Sequence, residues 1–115
     1  MIGAERDSAE DAVERQVRAY NAHDVDGFIE CYAEGVVIED ADGKLLLRSR
    51  DQVAGHRRLF ADFPDLHAEV VTRIRVGSYV IDEERVTGGP RGDVHAAAIY
   101  RLDTDGNIDR VRLLR

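Results

Sequence analysis

Residues 20–43 read YNAHDVDGFIECYAEGVVIEDADG, and the fold turns on this stretch. "NAHD" breaks a helical pattern, and Asp24 is a residue type that caps a new helix. Val25, Phe28, Ile29 and Tyr32 then recur at helical spacing, which predicts a short second helix over 25–35 with Gly35 at its C-terminal stop. At Val36 the pattern changes. "VVIED" is a β-branched run of strand character, and "ADG" is a turn. Two adjacent acids, Glu39 and Asp40, close the strand.

Upstream, "DSAEDAVERQVRAYNAHD" carries Ala9, Ala12, Val13, Gln16, Val17 and Tyr20 at helical spacing, a first helix capped by Asp7 or Ser8. Downstream, "KLLLRS" returns as the hairpin partner of "VVIED". "RDQVAGHRRLFADFP" is a third helix, capped by Ser49 or Asp51, with Val53, His56, Leu59, Phe60 and Phe63 inward and Pro64 ending it. The remainder reads as strand after strand: 66–77, 78–89, 93–103 and 107–115. Turns fall near Gly77 and at Asp105-Gly106. Helices first and antiparallel strands after is the α+β pattern. One curved antiparallel sheet with about three N-terminal helices on its concave face makes a cone whose wide mouth can hold a small molecule.

The chain has 115 residues, one domain spanning 1–115. Sixteen Lys plus Arg against 23 Asp plus Glu leave a net charge of −7, which argues against a nucleic-acid partner. The single Cys31, in "FIECYA", excludes an internal disulfide and reads as a small buried hydrophobe. No run approaches the roughly 18 apolar residues of a membrane span, and the acidic, polar start lacks the pattern of a signal peptide, so a cytoplasmic location is the default expectation. His and acidic residues show no metal-ligand spacing, and there is no phosphate loop or dinucleotide motif. No metal and no cofactor are therefore expected. His23 reads as a surface loop residue, and His67 starts a strand without a matched partner. Arg91-Gly92-Asp93 matches an adhesion tripeptide by chance, in a turn.

The order of elements resembles the nuclear transport factor 2-like superfamily, and most closely its SnoaL-like and ketosteroid-isomerase-like branch. The likeness covers about Ser8 to Arg115. It rests on the Asn-Ala-x-Asp turn at 21–24, the short helix ending in Tyr32-Ala33, the strand closing on Glu39-Asp40, and "IYRLDTDGNIDRVRLL" at 99–114. The resemblance implies acid–base chemistry by a carboxylate in an apolar cone, a small hydrophobic oxygenated substrate and no cofactor. It also implies homodimers through the outer sheet face. Asp40 falls where the isomerases place their Asp base. Their oxyanion-hole Tyr and protonated Asp correspond here to Gln16 and Ala98, so the steroid reaction itself is not carried over. Tyr20 lies one turn on, about 6 Å further along the helix by rise.

Alternation along the first strand sets Val36, Ile38 and Asp40 on one face and Val37 and Glu39 on the other. Asp40 is thus the candidate base, its pKa raised by an apolar cone, and Glu39 the solvated acid. The alternative is that Asp40 caps the turn at "DADG". His56 is inward on the third helix and could orient Asp40, bind ligand or shuttle protons; the alternative is a structural histidine. In "YVIDEERVTG" the resemblance turns Tyr79, Ile81, Glu83, Arg85 and Thr87 toward the cavity. Glu83 and Arg85 would then pair with each other or with a ligand, the alternative being an outer ladder. Ala96 and Ala98 leave room, Tyr100 shares their face, and His95 takes the opposite one. Val71, Val94 and Ile99 are expected on the dimer face.

Two functions follow. The first is an isomerase- or cyclase-type enzyme with Asp40 and His56 catalytic and Tyr20, Glu83, Arg85, Ala98 and Tyr100 holding substrate. The second is a non-catalytic ligand-binding or dimerisation module. An open apolar cavity with a carboxylate at its floor favours the first, and a cone filled by side chains the second.

Overall fold

The computed structural model describes residues 10–115. In chain order the elements are α1 (Ala12–Asn21), α2 (Val25–Glu30), β1 (Tyr32–Asp40), β2 (Leu45–Arg48), α3 (Ser49–Val53), α4 (His56–Asp62), β3 (His67–Val76), β4 (Tyr79–Gly89), β5 (Gly92–Leu102) and β6 (Ile108–Leu114). The strands form one six-stranded sheet in the order β2-β1-β6-β5-β4-β3. This is the expected α+β architecture, helices on one face of a curved sheet, with one departure. β6 returns to lie beside β1 and pairs with it in parallel, so the sheet is mixed rather than wholly antiparallel. Register breaks at Ile38/Glu39, Val70/Thr72 and Arg101/Leu102 bend the strands around the helices.

α1 is capped by Asp11, whose Oδ1 accepts from the Glu14 N–H at 2.9 Å. The cap candidates Asp7 and Ser8, and Ala9 with them, lie outside the described residues. The helix buries Ala12, Val13, Gln16 and Ala19 against the sheet. Arg75 on β3 clasps its first turn, reaching Asp11 at 2.9 Å and Glu14 at 2.7 Å.

The "NAHD" turn does more than end a helix. Asn21 imitates a strand edge: its Oδ1 accepts from the Ala68 N–H at 2.8 Å and its Nδ2 donates to the Ala68 carbonyl at 2.9 Å. His23, at φ 56°, lies 2.9 Å from the Leu66 carbonyl through Nε2. It stacks on Phe60 at 5.2 Å, so it is half-buried rather than a surface residue. Asp24 caps α2.

Two boundaries differ from the sequence reading. α2 stops at Glu30, and Tyr32 already belongs to β1, because it pairs with Ile108 and the Ile108 N–H donates to the Cys31 carbonyl at 2.9 Å. Long-range strand pairing overrides the local helical spacing, and Gly35 is a strand residue rather than a helix stop. The third helix is two short ones. His56 Nδ1 sits 2.9 Å from the Val53 carbonyl, the acceptor that Arg57 N–H would use in a continuous helix. Arg57 N–H goes to the Ala54 carbonyl instead, at 3.0 Å. The side chain of His56 thus marks the break.

Gly88 has φ +76°, and a Cβ there would lie 2.2 Å from the Asp65 carbonyl oxygen. Its missing side chain lets the segment after α4 cross the end of β4 and bring Leu66 into the interior. On the inner face Asp82 is fully buried and held in a fork by Arg73, at 2.6 and 2.8 Å. On the outer side Val71, Ile74, Val76 and Tyr79 are exposed, the region where a dimer face was expected; Val94 is not among them and faces the interior. Among the described residues no helix is long and apolar enough to cross a membrane.

Removing one partner of a buried ion pair strands the other charge. Asp82→Ala is expected to lower stability by about 3 kcal/mol in urea denaturation. An unchanged midpoint and slope would show that the Arg73 fork contributes nothing.

Candidate active site: a cavity floored by Glu84

The inner faces of the central strands carry two rows. β4 contributes Val80, Asp82, Glu84 and Val86, and β5 contributes Val94, Ala96, Ala98 and Tyr100, paired in register as Val80↔Tyr100, Asp82↔Ala98, Glu84↔Ala96 and Val86↔Val94. Of these, Glu84, Val86, Val94, Ala96 and Tyr100, with the helices above them, line a cavity of about 400 Å³. Gln16, Tyr32, Glu84 and Tyr100, all buried, line its floor, and the exposed Leu46, Pro90, Arg91 and Arg115 form its rim. Phe28, Leu47, Leu59 and Leu66 make the walls apolar. Ala96, opposite Glu84, leaves the space in front of the carboxyl open.

A chain of hydrogen bonds crosses the floor. The Tyr32 hydroxyl donates to Gln16 Oε1 at 3.2 Å, and Gln16 Nε2 donates to the Tyr100 hydroxyl at 3.1 Å. Tyr100 in turn donates to Glu84 Oε2 at 3.1 Å. No buried side-chain nitrogen or oxygen among the described residues is left without a partner.

Burial raises the Glu84 carboxyl to about 7. The Tyr100 hydrogen bond pulls it down, the neighbouring Asp82 charge pushes it up, and Arg73 pulls it down again. Near neutrality the group can therefore either take or give a proton. Tyr20 lines the same cavity, and burial followed by the Glu84 charge pushes its phenol up to about 12, so it stays a donor. His56 has its pKa lowered by burial, with its bond to the Val53 carbonyl acting in the other direction. Burial thus favours the neutral ring, in which Nδ1–H donates to that carbonyl and Nε2 is left as an acceptor. The ring packs on Phe28 at 4.7 Å and near Tyr20 at 6.4 Å.

Of the residues expected at the site, Tyr20, His56 and Tyr100 come together around this cavity. Ala98 is fully buried against Asp82 and is not in the cavity wall. Asp40 is not in the wall either. The strand alternation holds, since Val36 and Ile38 point inward, but Asp40 ends the strand and its Oδ1 accepts from the Asp42 and Lys44 N–H groups, both at 2.9 Å. The turn-capping alternative describes its place. Glu39 is not the solvated acid expected; its side chain is 12% exposed, with Arg112 at 3.1 Å and Arg110 at 3.8 Å. Glu83 and Arg85 face outward. Glu83 accepts from the Thr72 hydroxyl at 3.1 Å and lies 2.6 Å from His95, and Arg85 is exposed. Pairing with β5 dictates this phase: the strand that turns Ala96 and Tyr100 inward turns Glu84 inward with them. The sequence reading missed Glu84 and the part played by Gln16. The face assigned to Ala96 and Tyr100, carried across the β4–β5 hairpin, was the signal for Glu84. Among the described residues no group of three or more His, Cys, Asp or Glu is placed to hold a metal.

Residues 13–111 match the family model of the SnoaL-like domain. The chain belongs to that family. Among solved structures, this SnoaL-like domain is similar to an uncharacterized cystatin-fold protein from Novosphingobium aromaticivorans, with 26% identity, 90% of this chain and 95% of that one covered, and a TM-score of 0.83. It shares its fold with a proposed polyketide cyclase from Sinorhizobium meliloti, at 20% identity, coverage of 92% and 95%, and a TM-score of 0.75. It also shares it with a computationally designed 17-OHP binder, at 18% identity, coverage of 89% and 86%, and a TM-score of 0.75. No curated protein matches the chain.

The raised Glu84 pKa makes a thermodynamic prediction for the SnoaL-like domain. The folded state holds this proton more tightly than the unfolded one, whose carboxyl titrates near 4.5. Folded protein then binds more protons between about pH 4.5 and 7, and stability falls as pH rises through that window, by about 3 kcal/mol from this group. His56, shifted down, works in the opposite sense below its ordinary 6.5. The readout is therefore the difference between the parent and Glu84→Gln, measured by urea denaturation at several pH values. That difference should slope with pH across the window, and a pH-independent offset would contradict the assignment.

Proposed function

We propose that this SnoaL-like domain is a small-molecule acid–base enzyme of the isomerase or cyclase type, with Glu84 moving a proton on a hydrophobic, oxygenated substrate. The observation that carries the reading is a buried carboxyl of pKa about 7 facing an open apolar cavity. A binding module has no need of such a group, and a carboxyl poised near the working pH is what proton transfer requires.

In this reading the apolar walls hold the substrate body with an acidic C–H next to a carbonyl at the floor. The Glu84 carboxylate takes that proton, and negative charge moves onto the carbonyl oxygen. The Tyr20 phenol, still protonated, donates to that oxygen. Where the substrate carries a carbon–carbon double bond β,γ to the carbonyl, protonated Glu84 then returns the proton to the γ carbon as the carbonyl re-forms and the double bond shifts into conjugation, which completes an isomerisation. In a cyclisation the carbanion instead attacks a second carbonyl of the same molecule, and the proton goes to the new alkoxide. Tyr100 holds one Glu84 oxygen, leaving the other for substrate, and Gln16 orients Tyr100. His56 Nε2 accepts a hydrogen bond from a substrate hydroxyl. The likeness to the proposed cyclase and to the designed 17-OHP binder supports ring-bearing substrates.

With a panel of cyclic and polyketide-like ketones, Glu84→Gln is expected to lower kcat by about 100-fold or more while leaving the circular dichroism spectrum unchanged. Tyr100→Phe removes the bond that lowers the Glu84 pKa and should move the acid limb of kcat/KM to higher pH. Asp40→Asn should keep its turnover. Full turnover by Glu84→Gln, or its loss in Asp40→Asn alone, would overturn the choice of base.

A further inference from the structure

The cavity mouth carries two positive charges. Arg91, at the tip of the β4–β5 hairpin, and Arg115, just past β6, both line it. Neither has a carboxylate within ion-pair distance among the described residues, although the chain carries seven more acids than bases. Several arginines elsewhere take acids: Arg73 takes Asp82, Arg75 takes Asp11 and Glu14, Arg101 takes Asp109, and Arg110 and Arg112 share Glu39. Arg15, Arg48, Arg50 and Arg85 also have no carboxylate within ion-pair distance among the described residues, but they do not line the cavity. At the mouth Arg91 and Arg115 line one cavity together. Arg115 has its pKa lowered by partial burial first and by the Arg91 charge next. Arg115 also acts on the Tyr20 phenol across the cavity.

Between this pair and the floor the lining is largely apolar, with Leu47, Leu59, Leu66, Val86 and Val94 on the way down. A ligand matching the whole cavity has an apolar body, an oxygen function at one end and a negative charge at the other. We propose that Arg91 and Arg115 form an anion subsite, and that the ligand of this cavity is an amphipathic acid whose carboxylate sits at the mouth while its apolar, oxygenated body reaches toward Glu84. A guanidinium presents a planar fork that fits a carboxylate or sulfonate, and two forks bind one anion without the repulsion they otherwise feel. Glu84 suits such a ligand as well, since a carboxyl with a pKa of about 7 is only partly ionised at neutral pH and repels a second acid less than an ordinary carboxylate does.

This inference rests on the cavity being a ligand site, but not on its catalysing anything, and its test reads binding alone. Two fluorescent probes differ only in their charge: 8-anilinonaphthalene-1-sulfonate carries an anion, and N-phenyl-1-naphthylamine has the same apolar body without it. The parent and the Arg91→Ala/Arg115→Ala double variant would be titrated with both. Both arginines are exposed, and the variant is expected to fold as the parent does. Loss of the forks should weaken the sulfonate probe about tenfold or more and leave the neutral probe within about twofold. Raising ionic strength should weaken the sulfonate probe in the parent and have little effect in the variant. Equal affinity of the sulfonate probe for the two proteins overturns the subsite. So does an equal loss for both probes, which would assign the arginines to the shape of the mouth rather than to its charge. A double variant that keeps sulfonate binding while Glu84→Gln loses turnover would remove the anion subsite and leave the proposed chemistry standing.

Discussion

The side-chain amide of Gln16 is the contact on which the site depends. It is 4% exposed, deep in the face of α1 that packs on the sheet, where an unpaired amide would be costly. It is tolerated because each end has a partner, the Tyr32 hydroxyl at Oε1 and the Tyr100 hydroxyl at Nε2. These bonds fix which way the amide points. They also decide what Tyr100 does: with its oxygen accepting from Gln16, its proton is directed to Glu84. One amide thus ties α1 to β1 and β5 and, through a phenol, to the carboxyl on β4. The placement of the first helix and the electrostatics of the cavity floor are one constraint.

The same strand makes two kinds of acid from two neighbouring inward positions. Asp82 is fully buried but gripped by the Arg73 fork, so its charge is matched and its role is to hold β3 to β4. Glu84, two residues on, has no guanidinium against it and only a phenol for a partner, and it opens onto the cavity beside Ala96. Environment alone separates a carboxylate held in an ion pair from one whose pKa is raised toward neutrality, the arrangement by which two acids of one site can take different roles. At the end of β1 two further acids take different partners: Glu39 lies against two arginines, and Asp40 accepts from the backbone of the turn that follows it.

Much of the fold was legible in the sequence because its signals are local. Helical spacing in α1, the β-branched run of β1, the Asp105-Gly106 turn and the helices-then-strands order are read from neighbouring residues. What local patterns could not supply was pairing. Tyr32 looks helical until Ile108 claims it, and the parallel approach of β6 to β1 leaves no mark on either strand. His56 could be placed inward by spacing, while the capture of the Val53 carbonyl that splits its helix could not. The site turned on the phase of β4. "YVIDEERV" alternates acids and apolar residues on both faces, so composition gives no preference. The decision comes from register with β5, and the small Ala96 and Ala98 already pointed to which face of that strand is inward. For Asp40 alternation left the pocket and the turn as two readings, and the side chain bonds to the turn, because a group at a strand end answers to the residues that follow it.

The central claim is that burial in an apolar cavity, moderated by one phenol, leaves Glu84 titrating near neutrality. It is tested most directly by following the Glu84 side-chain carboxyl carbon by NMR in ¹³C-labelled protein across the pH range, with Glu84→Gln identifying the resonance. The account predicts a midpoint at about 7. A midpoint near the ordinary 4.5 would contradict it, and with it the choice of Glu84 as the group that moves the proton.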